Sequence, residues 1–396
     1  MSIKMKYNLL YLLYCIAGCC IGGFIAVFLQ FKGVSNTMIG LVTGIGCVLS
    51  IFLSSSFTGV VKKIKGMNYR NMLAYLLVFM GVLFVACCYG PAVIFKPAVI
   101  MVLYIIIYCT MICIGPFFQI IASDYINEGK DVNFGLARGL GSAAWACSSL
   151  VFGVIVDYLN PNILGLGYVV FIALTLFDLL SMPVSEVKQA EGSKKEGTIL
   201  SVSKKYKVYF FLLLGWSFLF AGSTSLGTYL INIVNSLGGS TSLYGTAAFL
   251  SALSEMPIMA ITPKLMKRFK ASSLLLFAAI CYGLRALVIC LAPNMIVLCC
   301  GMMLQGVSYG LFCAVITYYV IYNLKTEDQV VGQTMIVIFS SGFGSTIGNI
   351  IGGYLVDTFG LGFMYKFVGV LSVVGIIVMI FAKLIDLKTE KKELIA

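Results

Sequence analysis

The sequence predicts an all-α membrane protein: twelve transmembrane helices in two pseudo-symmetric six-helix bundles. Three observations carry this. Of 396 residues, 60% are hydrophobic and 11% charged, against about 45–50% and about 25% in soluble domains. Twelve apolar stretches are long enough, at about 20 residues each, to cross the hydrocarbon core as helices. A lysine-rich segment divides them six and six. The runs are continuous, which excludes the short alternating strands of a β-barrel. Backbone in lipid must satisfy its own hydrogen bonds, which leaves helices.

The first stretch, about 8–29, is too long for a signal-peptide core and lacks a small-residue cleavage pattern, so it is a span. Spans two to six follow at about 36–59, 71–90, 97–122, 138–157 and 163–184. The segment SEVKQAEGSKKEGTILSVSKKYK, residues 185–207, then brings six lysines and three glutamates. It reads as a flexible cytoplasmic linker. Spans seven to twelve lie at about 208–231, 242–262, 272–292, 294–322, 331–356 and 363–385. The expected domains are a bundle over 1–184, the linker 185–207 and a second bundle over 208–396. The halves carry one short repeat at equivalent spans: Gly153 to Asp157 and Gly353 to Asp357 both read GxxxD.

Orientation follows from the basic residues. With the N-terminus inside, the tails and the even-to-odd loops hold Lys4, Lys6, Lys62, Lys63, Lys65, Arg70, the linker lysines, Lys264, Lys267 and Arg268, among others. The opposite side holds Lys32, Lys96 and Lys366. Both termini are therefore expected in the cytoplasm and the chain in the plasma membrane. The net charge of +12 is a topogenic signal, and no nucleic-acid partner is expected. A small-molecule substrate, protons and the lipid bilayer are the expected partners, and the expected state is a monomer.

The chain has no histidine. This excludes His-ligated metals, Ser-His-Asp catalysis and imidazole relays. The fourteen cysteines are scattered through apolar runs without zinc-type CxxC spacing, so most are small hydrophobes and no cofactor or metal is expected. Glycines such as Gly18, Gly22, Gly44 and Gly141 are expected to let helices approach closely.

A charged group inside a span costs at least about 2.5–3.5 kcal/mol at mid-helix and is by default functional. Glu255 lies about 13 residues, or roughly 20 Å, inside span eight. Arg285 lies about as deep inside span nine, counted from its cytoplasmic end. The pair reads as a protonatable coupling site, or alternatively as a permanent structural ion pair. On span five, Arg138 and Trp145 are seven residues apart and share a face, with Ser142 between them. A guanidinium can fork onto hydroxyls or a carboxylate, and an indole can stack on a ring. Asp178 reads as solvated or interfacial. Gln119, Gln305, Asn232 and Asn349 sit in or near apolar runs, where each can hydrogen-bond a solute or bridge helices, and Asp157 and Asp357 read as water-accessible helix ends.

The 6+6 plan, FGLARGLGSAAW (134–145), SEMPIMAITPKLMKRF (254–269) with Leu284-Arg285, and Gly332-Gln333 through Gly353 carry a resemblance. Together they resemble the major facilitator superfamily, in the branch of lactose permease, the oligosaccharide–proton symporters and the phenylpropionate permeases. The resemblance implies a proton-coupled symporter importing a small polar solute such as a sugar. It adds Gln119 and Gln305 as substrate-contacting positions, where that branch carries a span-four glutamate and a span-ten histidine. Lys63 stands where the superfamily's loop after span two has aspartate. Competing readings are a uniporter, a drug-efflux antiporter and, outside transport, a membrane enzyme or lipid scramblase. Span five lacks the proline of antiporters, and the spans hold no acid pair for an enzyme.

Overall fold

The computed structural model describes residues 2–64, 67–184 and 198–393. Twelve helical spans among them are long and apolar enough to cross a membrane. No strand occurs among the described residues. Most of the linker lies outside the described residues. Its last part, expected to be flexible, is a short helix, Ile199–Lys205. Thr198 starts that helix by accepting the Ser201 N–H, and Val202 is fully buried, which holds it in place.

The first span is a helix Ile3–Gly18, a π-helical turn Cys19–Gly23 and a helix Ile25–Phe31. Spans two to six are Asn36–Lys63, Tyr69–Tyr89, Pro97–Asn127, Phe134–Tyr158 and Ile163–Ser181. Span seven is Lys207–Thr228 followed by Leu230–Ser236; spans eight and nine are Thr241–Met266 and Ala271–Cys290. Span ten is Met295–Met303, a π-turn Gly306–Gly310 and Leu311–Asn323. Span eleven is Thr326–Val337, a π-segment Ile338–Ser345 and Thr346–Phe359, and span twelve is Leu361–Glu393. π-turns displace the hydrogen-bond ladder and collect at functional sites.

The chain divides into two compact units: Met1–Glu191 with Val234–Phe249, and Gly192–Ile233 with Leu250–Ala396. In the first, the C-terminal carbonyls of span six are gathered by donors from three other segments. Lys6 Nζ reaches Ser181 O at 2.7 Å, Arg70 Nη1 reaches Met182 O at 2.6 Å and Tyr125 OH reaches Pro183 O at 2.5 Å. Cations there complement the helix dipole. Asp178 is buried beside this cluster, not solvated, with Lys6 in electrostatic reach. Burying it costs less because a cation is near.

In the second unit, Gly344, Gly348 and Gly352 pack span eleven against span seven. A Cβ on Gly348 would stand 2.1 Å from Ala221 O, so no side chain fits without separating the helices. Ser225 Oγ donates to Gly348 O at 2.6 Å, and Thr228 Oγ1 to Asn349 Oδ1 at 2.9 Å. Asn349 is thus a helix bridge.

The internal repeat runs deeper than GxxxD. Spans one and seven are both interrupted, at Phe24 and Tyr229, and each then makes a seven-residue helix. Each helix is followed by a glycine at positive φ, Gly33 at 79° and Gly238 at 70°. The turns match bond for bond: Gly33 N–H to Gln30 O and Gly238 N–H to Asn235 O, both 205 residues apart (238 − 33 and 235 − 30). In this register Ser50 occupies the place of Glu255, so the second copy alone carries the acid.

Candidate functional site

Span five begins where Asn133 Oδ1 accepts the Leu136 N–H at 2.9 Å, a helix-starting cap. One turn on, Arg138 is exposed, with no hydrogen-bond partner among the described residues. Tyr11 and Cys15 of the first span lie within its electrostatic reach. Ser142, on the same face, is exposed. Trp145 is half-buried, its ring lying over the glycines of the first span. A Cβ on Gly18 would stand 3.3 Å from the indole, and one on Gly22 3.1 Å from it and 2.9 Å from Met111 Cε.

These glycines therefore make a slot for an aromatic ring, where close approach of two helix backbones was expected. Gly141 serves the same end for Tyr11 and Cys15, whose side-chain atoms would lie 2.6 and 2.7 Å from its Cβ. Tyr11 is a residue the sequence reading missed. Its ring centroid is 5.1 Å from that of Phe118 and 6.0 Å from that of Phe134, joining spans one, four and five. The available signal was the helical spacing of Tyr7, Tyr11 and Tyr14. Gln119, next to Phe118, is exposed.

Span eight starts in the first unit. Asp157 Oδ1 and Oδ2 accept the N–H groups of Thr241 and Ser242, each at 2.9 Å. Gly153 and Gly245 bring the two backbones together, and a Cβ on Gly245 would stand 2.2 Å from Ser149 O. Tyr244 OH donates to Gly23 O, at the end of the first-span π-turn. The first GxxxD copy is thus a docking motif for the start of span eight.

The second unit holds the buried charge. Arg285 is 3% exposed. Its Nη1 donates to Ser223 Oγ at 2.7 Å, and its Nε is sealed from solvent without a partner among the described residues. Glu255 and Tyr282 lie within its electrostatic reach. Glu255 is half-buried and runs across Gly310, whose added Cβ would stand 3.3 Å from Glu255 Cα and 3.5 Å from its Cγ. Gly306 N–H donates to Ser254 Oγ at 3.0 Å. The span-ten π-turn therefore seats on Ser254 and Glu255. Gln305, directly before that turn, has its Oε1 sealed and unpartnered among the described residues. Tyr282 OH accepts the Trp216 Nε1–H at 3.3 Å, and Trp216 stacks on Phe312 with centroids 4.8 Å apart.

Ser223 was also missed, because span hydroxyls usually donate to a carbonyl one turn back. Ser148, Ser149 and Ser308 do so. No cluster of three or more metal-ligating side chains occurs among the described residues.

The model of the MFS_1 like family matches residues 4–367. The chain is similar to the maltose permease of Geobacillus stearothermophilus, at 24% identity over 287 residues, 70% of each chain. Two solved structures share its fold. The nucleoside transporter NupG aligns with a TM-score of 0.75 at 14% identity, over 97% of this chain and 98% of that one. A D-xylose-proton symporter aligns with a TM-score of 0.64 at 16% identity, over 96% of both.

Proposed function

This chain belongs to the MFS_1 like family and is a multi-pass membrane transporter, not an enzyme, and we propose from that premise that it imports a small polar solute, such as a sugar, by proton-coupled symport. The observation that carries the coupling is that Glu255 lies within electrostatic reach of the buried Arg285 inside the second unit. A carboxyl so placed can take a proton when cut off from water and release it when the cation dominates. Transport then links that exchange to solute movement across the membrane. The relatives named as a maltose permease and a D-xylose-proton symporter support this class of solute.

In the first unit, Arg138, Ser142, Trp145 and Gln119 would contact the solute; in the second, Gln305 would. Trp145 would stack on the apolar face of a ring, and the exposed Arg138 would fork onto hydroxyls. Both termini would be cytoplasmic, the membrane would be the plasma membrane, and the working unit would be a monomer.

Uptake of maltose, D-xylose and uridine into proteoliposomes, with and without an imposed proton gradient, tests the reading. The expected result is accumulation of one of them that requires the gradient. Glu255→Gln should then keep solute exchange while losing accumulation. A variant that still accumulates solute as the parent does would make Glu255 structural. Uptake of these solutes that ignores the gradient in the parent would make the protein a uniporter.

A further inference from the structure

Asp178 occupies a place where a negative charge is costly in three ways. It is buried, at 6% exposure. Its Oδ2 is sealed from solvent and meets no hydrogen-bond donor among the described residues. It lies in the last turn of span six, which ends at Ser181, and the dipole of that end is negative. An acid kept inside a span under such conditions is a functional group by default.

Two cations are at hand, and each rests on neutral oxygens. Lys6 lies within electrostatic reach of Asp178, yet its Nζ donates to Ser181 O at 2.7 Å. Arg70 donates to Met182 O at 2.6 Å and to Asn71 Oδ1 at 3.2 and 3.3 Å. An ammonium offered a carboxylate and a carbonyl one turn apart takes the carboxylate, because opposite charges strengthen the bond. Lys6 on Ser181 O is the choice of a lysine beside a neutral carboxyl. Asp386 of span twelve shows the contrast: Ser272 Oγ donates to its Oδ2 at 2.5 Å, and Lys383 Nζ stands 3.7 Å from that atom. Among the described residues, the elements packed on span six bring Asp178 no further charge. Tyr7 of span one and Tyr69 of span three turn to span four, onto Phe118 O and the Phe117 ring. The first-span π-turn meets span six at Gly167 through Cys20, and span five meets it through Phe152 on Phe171. Lys4 is engaged by Asp131 at 2.8 Å.

We propose that Asp178 is a proton site of the first unit, that it holds its proton in this structure, and that the proton governs the clasp at the end of span six. On losing that proton to water, the carboxylate draws Lys6 off Ser181 O and leaves the carbonyl to solvent. Arg70 and Tyr125 then hold the end of span six alone, on Met182 O and Pro183 O. The only covalent change is the loss of the carboxyl proton. The linker follows directly at residue 185, so the proton decides how firmly the first unit grips the chain that leaves it. The site stands apart from Glu255 and needs no solute.

The full-length protein in lipid nanodiscs tests this with Asp178→Asn, Lys6→Met and Lys6→Arg. Infrared difference spectra between pH 5 and pH 9 should show a protonated-carboxyl band in the parent that Asp178→Asn lacks. Hydrogen exchange in the last turn of span six, Leu179 to Met182, reads the clasp. It is expressed as protection factors, so that the intrinsic pH dependence of exchange cancels. Protection in the parent should fall about tenfold from pH 5 to pH 9, as the loss of one charge-assisted hydrogen bond predicts. Asp178→Asn mimics the protonated carboxyl and should keep the low-pH value throughout. Lys6→Met should show the lowered value at both pH values, and Lys6→Arg should follow the parent. A permanent Asp178–Lys6 ion pair would instead make Asp178→Asn lose protection at both pH values, and that result overturns the proposal. So does a parent whose protection ignores pH, an Asp178→Asn protein that loses protection with pH as the parent does, or an infrared difference that Asp178→Asn leaves unchanged.

Discussion

The carboxylate of Asp157 accepts the backbone N–H of Thr241 at 2.9 Å across 84 residues of sequence. With Ser242 taken by its second oxygen, span five closes two of the open donors that begin span eight. The negative charge also sits at the positive end of that helix.

Loss of this cap should show directly. Asp157→Ala is expected to lower stability by about 1 kcal/mol, the usual worth of an N-cap side chain. Asp157→Asn keeps an acceptor but loses the charge and should fall between. Thermal unfolding in detergent checks the order; an Ala variant as stable as the parent would mean water replaces the carboxylate at no cost.

Gly245 should tolerate no side chain. A methyl there meets Ser149 O at 2.2 Å, and the obstacle is backbone, which cannot rotate away. Gly245→Ala should cost about 1–3 kcal/mol, as overpacking does. Gly227, where an added Cβ meets nothing within 4 Å, is the control. Equal melting temperatures for Gly245→Ala and Gly227→Ala would contradict the contact.

The protein has two tryptophans, and Trp216 is buried in its own aromatic stack. A solute-induced change in fluorescence should therefore come from Trp145 and vanish in Trp145→Phe while persisting in Trp216→Phe. Trp145→Phe should bind more tightly than Trp145→Ala, since part of the stacking area remains. Parent-like binding by both Trp145 variants would remove the stacking role.

Lys205 and Asp328 make a contact whose pH dependence has a defined sign. Lys205 Nζ donates to Asp328 Oδ2 at 2.5 Å, and Tyr206 OH donates to the same oxygen at 2.9 Å. The hydrogen bond to Asp328 raises the Lys205 ammonium above its ordinary value. A raised lysine contributes stability fully below its unfolded value, about 10.4, and loses it as pH climbs through the folded one. The stability gap between the parent and Lys205→Met should hold steady from neutral pH to about pH 10 and close above it. A gap that closed between pH 6 and 8 would assign the contact to another group.

Local chemistry made much of this protein legible. Hydropathy over about 20 residues fixes a span without reference to the rest of the chain, so all twelve could be read. The face shared by Arg138, Ser142 and Trp145 follows from helical period alone. The depth of Glu255 and Arg285 follows from counting. What a glycine faces is a different matter. Gly22 receives an indole, Gly348 a helix backbone and Gly310 the stem of Glu255, and nothing in the sequence around each distinguishes them. Only the tertiary structure chose their neighbours. The same holds for Ser223, whose partner lies 62 residues away, and for Asp157, which is exposed at its helix end as read and in addition caps another helix. Burial is set by one residue's surroundings averaged along a helix, which composition records. A hydrogen bond needs two atoms about 3 Å apart, and that distance is fixed when the helices pack.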